Sequence, residues 1–296
     1  MTQERTAERW AFDLSILLRT VMGEDRFPID VEALALDYSQ KKFPDDPITR
    51  IRERDTDDFE GFLTPHPGGK PEWGIGYASS IESDGRRRFT IAHEFGHYLI
   101  HRKKFPNGFQ CSPEDMAAWD SEYNRLEAEA NEFAANLLMP RDDFRSQIDP
   151  KAKVDLDDIG RCAERYGVSL MAATLRWLSF TQRRALLVVS REGYIRWARS
   201  STPAFKSRAY IKSAVSPPVP VPDESPIISH RMRPGLTPAI QHPQGVWLSE
   251  PVEEHALVSK RYDLGLSLLL LGNSGPVAQV DEADVPDLLE GQFKFR

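Results

Sequence analysis

The amino-acid sequence predicts an α+β protein: an α+β domain over residues 1–150, a short helical connector over 151–182 and a β-rich domain over 183–296. Three observations carry that reading. Apolar residues recur at helical spacing near the N-terminus and again between Phe89 and Met139. Between those stretches lie short extended runs broken by turn residues. Beyond Arg183 the pattern changes to alternating or continuous apolar runs cut by Gly and Pro.

In chain order, Trp10, Leu14, Leu17, Leu18 and Val21 predict a helix over residues 3–22, and Pro28 followed by Asp30 introduces a second through about Tyr38. The runs ITRIRER, FEGFLTP and EWGIGYA, separated by the turn signal PHPGGKP, predict a small antiparallel sheet between Ile48 and Ala78. Phe89 to Arg102 reads as a helix whose Ile91, Ala92, Phe95 and Leu99 pack on that sheet, with Gly96 allowing close backbone approach. A loop-rich insert from Phe105 to about Trp119 precedes a long helix from Ser121 to Met139, stopped by Pro140. Helices at Leu156–Tyr166 and Leu170–Phe180 follow, joined by GVS. RALLVVSREGYIRWARSS reads as a hairpin turning at Glu192 and Gly193, and VSPPVPVPDESP, five prolines in twelve residues, as an extended linker or a rigid long loop. The runs GVWLSEPV, HALVSKRYDLGLSLLLLGN and PVAQVD complete a β-rich domain.

Composition narrows the function classes. A chain of 296 residues exceeds one typical domain, and its 40% hydrophobic and 28% charged content is that of an ordinary soluble protein. No window approaches the run of about 20 apolar residues that a membrane span requires, and MTQERTAERW has no apolar signal core, so a cytoplasmic protein is expected. Cys111 and Cys162 are too few for a disulfide framework and are expected as thiols. Net charge is −7 overall, yet residues 181–240 hold ten Lys or Arg against three Asp or Glu.

The chemistry concentrates in FTIAHEFGHYLI, residues 89–100. On a helix of about 3.6 residues per turn, His93 and His97 are i,i+4 neighbours on one face, so both imidazoles reach one ion. Glu94 starts one position round, where a carboxylate approaches a water on the metal without ligating it. This is the His-Glu-x-x-His pattern of zinc peptidases. A catalytic zinc takes a third protein ligand. His101 lies one further turn along, too far from His93 in a continuous helix, and no glycine breaks the helix between His97 and His101. The helix RLEAEANEFAANLLMP offers Glu127, Glu129 and Glu132. Glu127 pairs with Asn131 at i,i+4, so its carboxylate can ligate while the amide oxygen accepts from the far nitrogen of a ligating histidine; Glu129 points elsewhere.

RRRFTIAHEFGHYLIH followed by EAEANEFAANLLMP resembles the ImmA/IrrE family of bacterial metallopeptidases over about residues 48–140. The resemblance implies a zincin-like catalytic domain, Zn2+ held by His93, His97 and Glu127, and Glu94 as the catalytic carboxylate. It also implies cleavage of a partner helix-turn-helix transcriptional repressor after a DNA-damage or mobile-element (phage) signal, with a C-terminal sensor domain that is GAF-like in some members. An edge strand such as EWGIGYA is positioned to pair with substrate backbone, or is simply structural. His66, Tyr77, His101 and Tyr123 are candidates for steadying the oxyanion.

Three further features stay open on sequence alone. Cys111, in the insert between the two ligand helices, is either an inhibitory fourth zinc ligand that keeps the enzyme latent or an ordinary thiol. The helix pair IGRCAERYGVSLMAATLRWL has helix-turn-helix character but presents only Arg176 as a basic reader on its second helix, which favours packing over groove binding. Arg183, Arg184, Arg196, Trp197, Arg199, Lys206, Arg208 and Lys212 combine charge with aromatic rings in a manner suited to single-stranded nucleic acid, or form a solvated strand face. A non-proteolytic nucleic-acid or small-ligand sensor acting by binding its partner is the alternative to the peptidase.

Overall fold

A computed structural model describes residues 5–56, 59–108, 120–213, 215–229, 235–236, 238–259 and 263–273, with backbone alone at 120–123, 229 and 235–236. Among the described residues the chain divides into two compact units, one built on residues up to Arg141 together with Glu164–Ser169, the other on Asp142–Ala163 and residues 170–273. No helix among the described residues is long and apolar enough to cross a membrane.

In the first unit, α1 (Ala7–Met22) starts at Thr6, whose side chain accepts from Arg9 N, and α2 (Val31–Lys42) starts at Asp30, which accepts from Ala33 N. The buried face of α1 is Ala7, Trp10, Ala11, Leu14 and Ser15, whereas Leu17 and Val21 are exposed. The stripe follows the 3–4 spacing from Ala7, and the two outer apolar residues fall beside it.

Three strands follow: β1 (Ile48–Arg54), β2 (Gly61–Pro65) and β3 (Trp73–Ala78), in the order β1-β3-β2. β2 and β3 form an antiparallel hairpin, but β1 runs parallel to β3, so the sheet is mixed and not wholly antiparallel as expected. Burial explains the order. β3 is apolar or glycine at nearly every position and buried along most of its length, so it takes the centre; β1 carries Arg50, Arg52, Glu53 and Arg54 and suits an edge. The run EWGIGYA is therefore the central strand, and the edge strand beside the histidine-bearing helix is β2.

That helix, α3 (Asp84–Ile100), is N-capped by Ser83 and packs on the sheet through Ile91, Phe95 and Leu99. Its C-terminal end is clamped. Arg102 bonds Asp46 through Nε at 2.8 Å and the Tyr98 carbonyl through Nη1 at 2.9 Å, with its guanidinium 4.1 Å from the Phe43 ring centroid and 4.3 Å from that of Tyr98. Beside α3 lies α4 (Asp120–Leu138), which buries Leu126, Ala130, Phe133, Ala134 and Leu137. The two helices meet at Gly96, where a Cβ would stand 2.9 Å from Phe133 Cδ1 and 3.3 Å from Ala130 Cα. Only glycine fits that approach without displacing a neighbour.

The second unit begins with α5 (Arg141–Gln147), α6 (Leu156–Tyr166, whose last residues belong with the first unit) and α7 (Leu170–Leu178). An antiparallel sheet follows: β4 (Ala185–Arg191), β5 (Tyr194–Ser200), β6 (Gly235–Leu236), β7 (Ile240–His242), β8 (Val252–Ser259) and β9 (Leu264–Leu271), ordered β5-β4-β9-β8-β6 with β7 also on β8. Two short helices, α8 (Thr202–Lys206) and α9 (Pro226–Ser229), lie in the connections. The β4–β5 hairpin turns at Glu192 and Gly193, both at positive φ. The proline-rich stretch is a docked loop and not a linker: Ile195 N donates to Val219 O, Val221 N donates to Gly193 O, and Val221 is buried. One sheet face carries the core of Leu186, Val188, Ile195, Ala256, Leu269 and Leu271. Within that core Glu254 is wholly buried, and its carboxylate accepts from Ser225 and Ser267 hydroxyls, the Trp247 indole and His242.

Candidate metal centre

Helix periodicity places His93 and His97 one turn apart on the face of α3 that meets α4, and the close approach at Gly96 brings the carboxylate of Glu127 against both. His93 Nε2 and His97 Nε2 are 2.9 Å apart, Glu127 Oε2 is 3.3 Å from the first, and Glu127 Oε1 is 3.2 Å from the second. These are the only three His, Cys, Asp or Glu side chains among the described residues whose donor atoms converge in this way. The triangle suits a metal: four ligands at roughly 2.0–2.1 Å in a tetrahedron stand about 3.3 Å from one another. Two imidazoles and a carboxylate form the donor set expected for zinc.

Hydrogen bonds set the tautomers. Asn131 Oδ1 can only accept, so His93 Nδ1, 3.0 Å away, carries the proton and Nε2 turns its lone pair to the site. His97 Nδ1 lies 3.0 Å from His101 Nδ1, and His101 Nε2 lies 2.9 Å from Glu129 Oε2. His101 is thus tied at both nitrogens and does not face the site as an oxyanion group. His66 Nδ1 accepts from Gly68 N in a turn, Tyr77 is held on the central strand, and the side chain of Tyr123 lies outside the described residues, as does Cys111.

Electrostatics reinforce the arrangement. Burial favours neutral imidazole at both histidines; at His97 it prevails and pushes the group down to about 4. At His93 the same burial is outweighed by the carboxylates of Glu127 and Glu94, and the group sits above its ordinary value. Two imidazolium rings cannot stand 2.9 Å apart, so the pair splits, one up and one down. Burial acts to raise Glu127, but hydrogen bonds from His93 and His97 hold it well below the usual carboxylate range. Glu94, 5% exposed, is pushed up to about 7 by burial, which His93 opposes and Glu127 assists. A carboxyl poised near neutrality is suited to taking and returning a proton.

One contributor escaped the sequence reading. Gly61 on β2 lies so close to α3 that a Cβ there would meet Thr90 Cγ2 at 2.5 Å and Glu94 Oε1 at 2.8 Å. A glycine inside an otherwise extended apolar run is the signal that marks such an approach.

The basic positions of the second unit divide by environment. Arg184 is buried and bonds Glu250, Ser207 Oγ and the Gly272 carbonyl, so it serves the fold and is not free to meet phosphate as expected. Arg196, Lys206, Arg208 and Lys212 are exposed, while Arg183, Trp197 and Arg199 are half-buried. Burial lowers the pKa of Arg199. Arg176 on α7 is buried, so that helix presents no basic reader.

A helix bearing two imidazoles and a buried acid, closed by a carboxylate from its neighbour, defines a metallopeptidase of the His-Glu-x-x-His class. Residues 48–178 match the family model of the IrrE N-terminal-like domain, a peptidase domain. Residues 48–178 thus form a metallopeptidase domain of the ImmA/IrrE type. No curated protein matches the chain.

Proposed function

We propose that the protein is a cytoplasmic zinc endopeptidase that cleaves a partner helix-turn-helix repressor when a damage or phage signal, such as single-stranded DNA, reaches its C-terminal unit. The observation that carries the proteolytic reading is Glu94: a metal held only for structure has no use for a buried carboxylate set on the same helix between its two histidine ligands. His93, His97 and Glu127 would hold the ion. When bound, zinc supplies Lewis-acid activation of a water and of the scissile carbonyl. Glu94 takes the water's proton on its carboxylate and returns it to the leaving amine. Asn131 holds the His93 ring with its proton on Nδ1 throughout.

Substrate backbone is assigned to the outer edge of β2. Ala78 N donates to Glu60 O and His66 N to Glu72 O, so even-numbered residues of β2 face β3 and the polar groups of Gly61 and Leu63 face outward. The turn ending at Gly108 lies against the Leu63 carbonyl, which leaves the stretch around Gly61, over Glu94, as the open part of that edge among the described residues. Main-chain pairing there would bring an extended peptide alongside the acid.

Support for a nucleic-acid signal is the set Arg196, Lys206, Arg208 and Lys212, exposed cations alongside Trp197 and half-buried Arg199, none of which makes an ion pair among the described residues. The GAF-like assignment of this unit rests on its position and its antiparallel sheet. The test is to incubate the zinc-loaded protein with a helix-turn-helix repressor from the same genome, with and without a single-stranded oligonucleotide. Cleavage by wild type, stimulated by oligonucleotide in a salt-dependent way and abolished in Glu94→Gln with zinc retained, is the expected result. Equal cleavage by Glu94→Gln would overturn the mechanism, and failure of the oligonucleotide to bind or stimulate would remove it as the signal.

A further inference from the structure

We propose that His101 and Glu129 are positioning residues for the metal ligand His97. The inference rests on the metal-centre reading and extends it one layer outward. His97 directs Nε2 at the site, since that atom stands 2.9 Å from His93 Nε2 and 3.2 Å from Glu127 Oε1. A ligating nitrogen must offer its lone pair, so the proton of His97 sits on Nδ1. That Nδ1 is 3.0 Å from His101 Nδ1, and two ring nitrogens bond only if one donates and the other accepts. His97 therefore donates, His101 accepts on Nδ1, and the proton of His101 sits on Nε2. Glu129 Oε2 waits 2.9 Å from that atom. The tautomers of the chain His97 to His101 to Glu129 follow from one requirement, that His97 bind metal.

The backbone holds His101 for this task. Its N–H donates to His97 O at 2.8 Å and its carbonyl accepts from Lys104 N at 2.9 Å, while the adjacent Arg102 is locked between Phe43 and Tyr98. The ring is fully buried, whereas the Glu129 side chain is about one third exposed. Both ligand imidazoles are thus oriented from α4, His93 directly by Asn131 and His97 through His101 by Glu129. A partner that fixes ring orientation and raises ligand basicity is worth roughly ten- to hundredfold in metal affinity.

The test measures zinc affinity of the full chain by chelator competition, with thermal unfolding of each metal-free variant alongside. His101→Leu removes the acceptor and is expected to weaken zinc by about ten- to hundredfold. His101→Asn places an amide oxygen where Nδ1 stood and should restore most of that loss, a rescue that a purely space-filling role would not produce. Glu129→Gln keeps an acceptor without the charge, alters a partly exposed side chain that is safe for folding, and should weaken zinc less than His101→Leu. Glu127→Ala separates the two readings. Loss of zinc in Glu127→Ala with His101→Leu and Glu129→Gln both within twofold of wild type overturns this inference alone; no zinc binding by wild type overturns the metal centre and this inference with it.

Discussion

Gly96 controls how closely the two ligand helices approach, and replacing it with alanine tests whether that approach sets metal affinity. A Cβ at this position stands 2.9 Å from Phe133 Cδ1, about 0.6 Å short of the roughly 3.5 Å at which carbon atoms rest, and 3.3 Å from the backbone of Ala130. Phe133 is fully buried, so its ring has little room to withdraw. If α4 moves out by that amount, the 3.2 and 3.3 Å edges from Glu127 to the histidines open to as much as about 3.8 and 3.9 Å, beyond the roughly 3.3 Å a tetrahedral ion asks for. Two effects on stability oppose each other. Alanine in a helix interior is favoured over glycine by about 1 kcal/mol, and overpacking costs about 1–3 kcal/mol. The melting temperature of the metal-free protein should therefore change little, while zinc affinity falls by about tenfold or more, close to 1.4 kcal/mol. Chelator competition on Gly96→Ala, with thermal unfolding in parallel, reads both. A higher melting temperature with zinc affinity within twofold of wild type would mean that the Phe133 ring absorbs the methyl and the helix spacing does not govern the site.

Two other outcomes follow from the buried carboxylates. Glu94 acts as a base only when ionised, and burial pushes it up to about 7, so kcat/KM should fall as pH drops through a value at or below that, the bound cation lowering it further; a profile flat from about pH 5 to 8 would remove Glu94 from the proton transfer. In the second unit, Glu254→Leu strands the Trp247 indole, His242 and two serine hydroxyls at about 1–3 kcal/mol each. It should destabilise that unit by at least about 3 kcal/mol in thermal unfolding, with Glu254→Gln markedly milder because an amide still accepts from the indole side and donates to the hydroxyls; a loss under about 1 kcal/mol for leucine would show that the cluster does not hold the core.

Local periodicity made the ligand helices legible. The i,i+4 relation of His93 to His97 and of Glu127 to Asn131 follows from helix geometry alone, and the structure sets those four side chains together. The Glu192–Gly193 turn was legible for a similar reason, since a two-residue hairpin demands positive φ. Less could be read where a side chain's part depends on a distant neighbour. Glu129 lies off the ligand face in sequence, yet it reaches the site by way of His101, a contact that exists only once α4 is packed beside α3.

Sequence by itself determined the helix that sets His93 and His97 on one face, the acid beside them and the second helix that offers Glu127, because three or four residues of spacing fix what shares a face. Only tertiary structure decided that EWGIGYA is central and β2 the open edge, that β1 runs parallel, that the prolines dock on β5, and that Arg184 is buried against Glu250. The reason is physical. Strand order and charge burial depend on which apolar surfaces, far apart in the chain, exclude water together, and no short window of residues contains that competition.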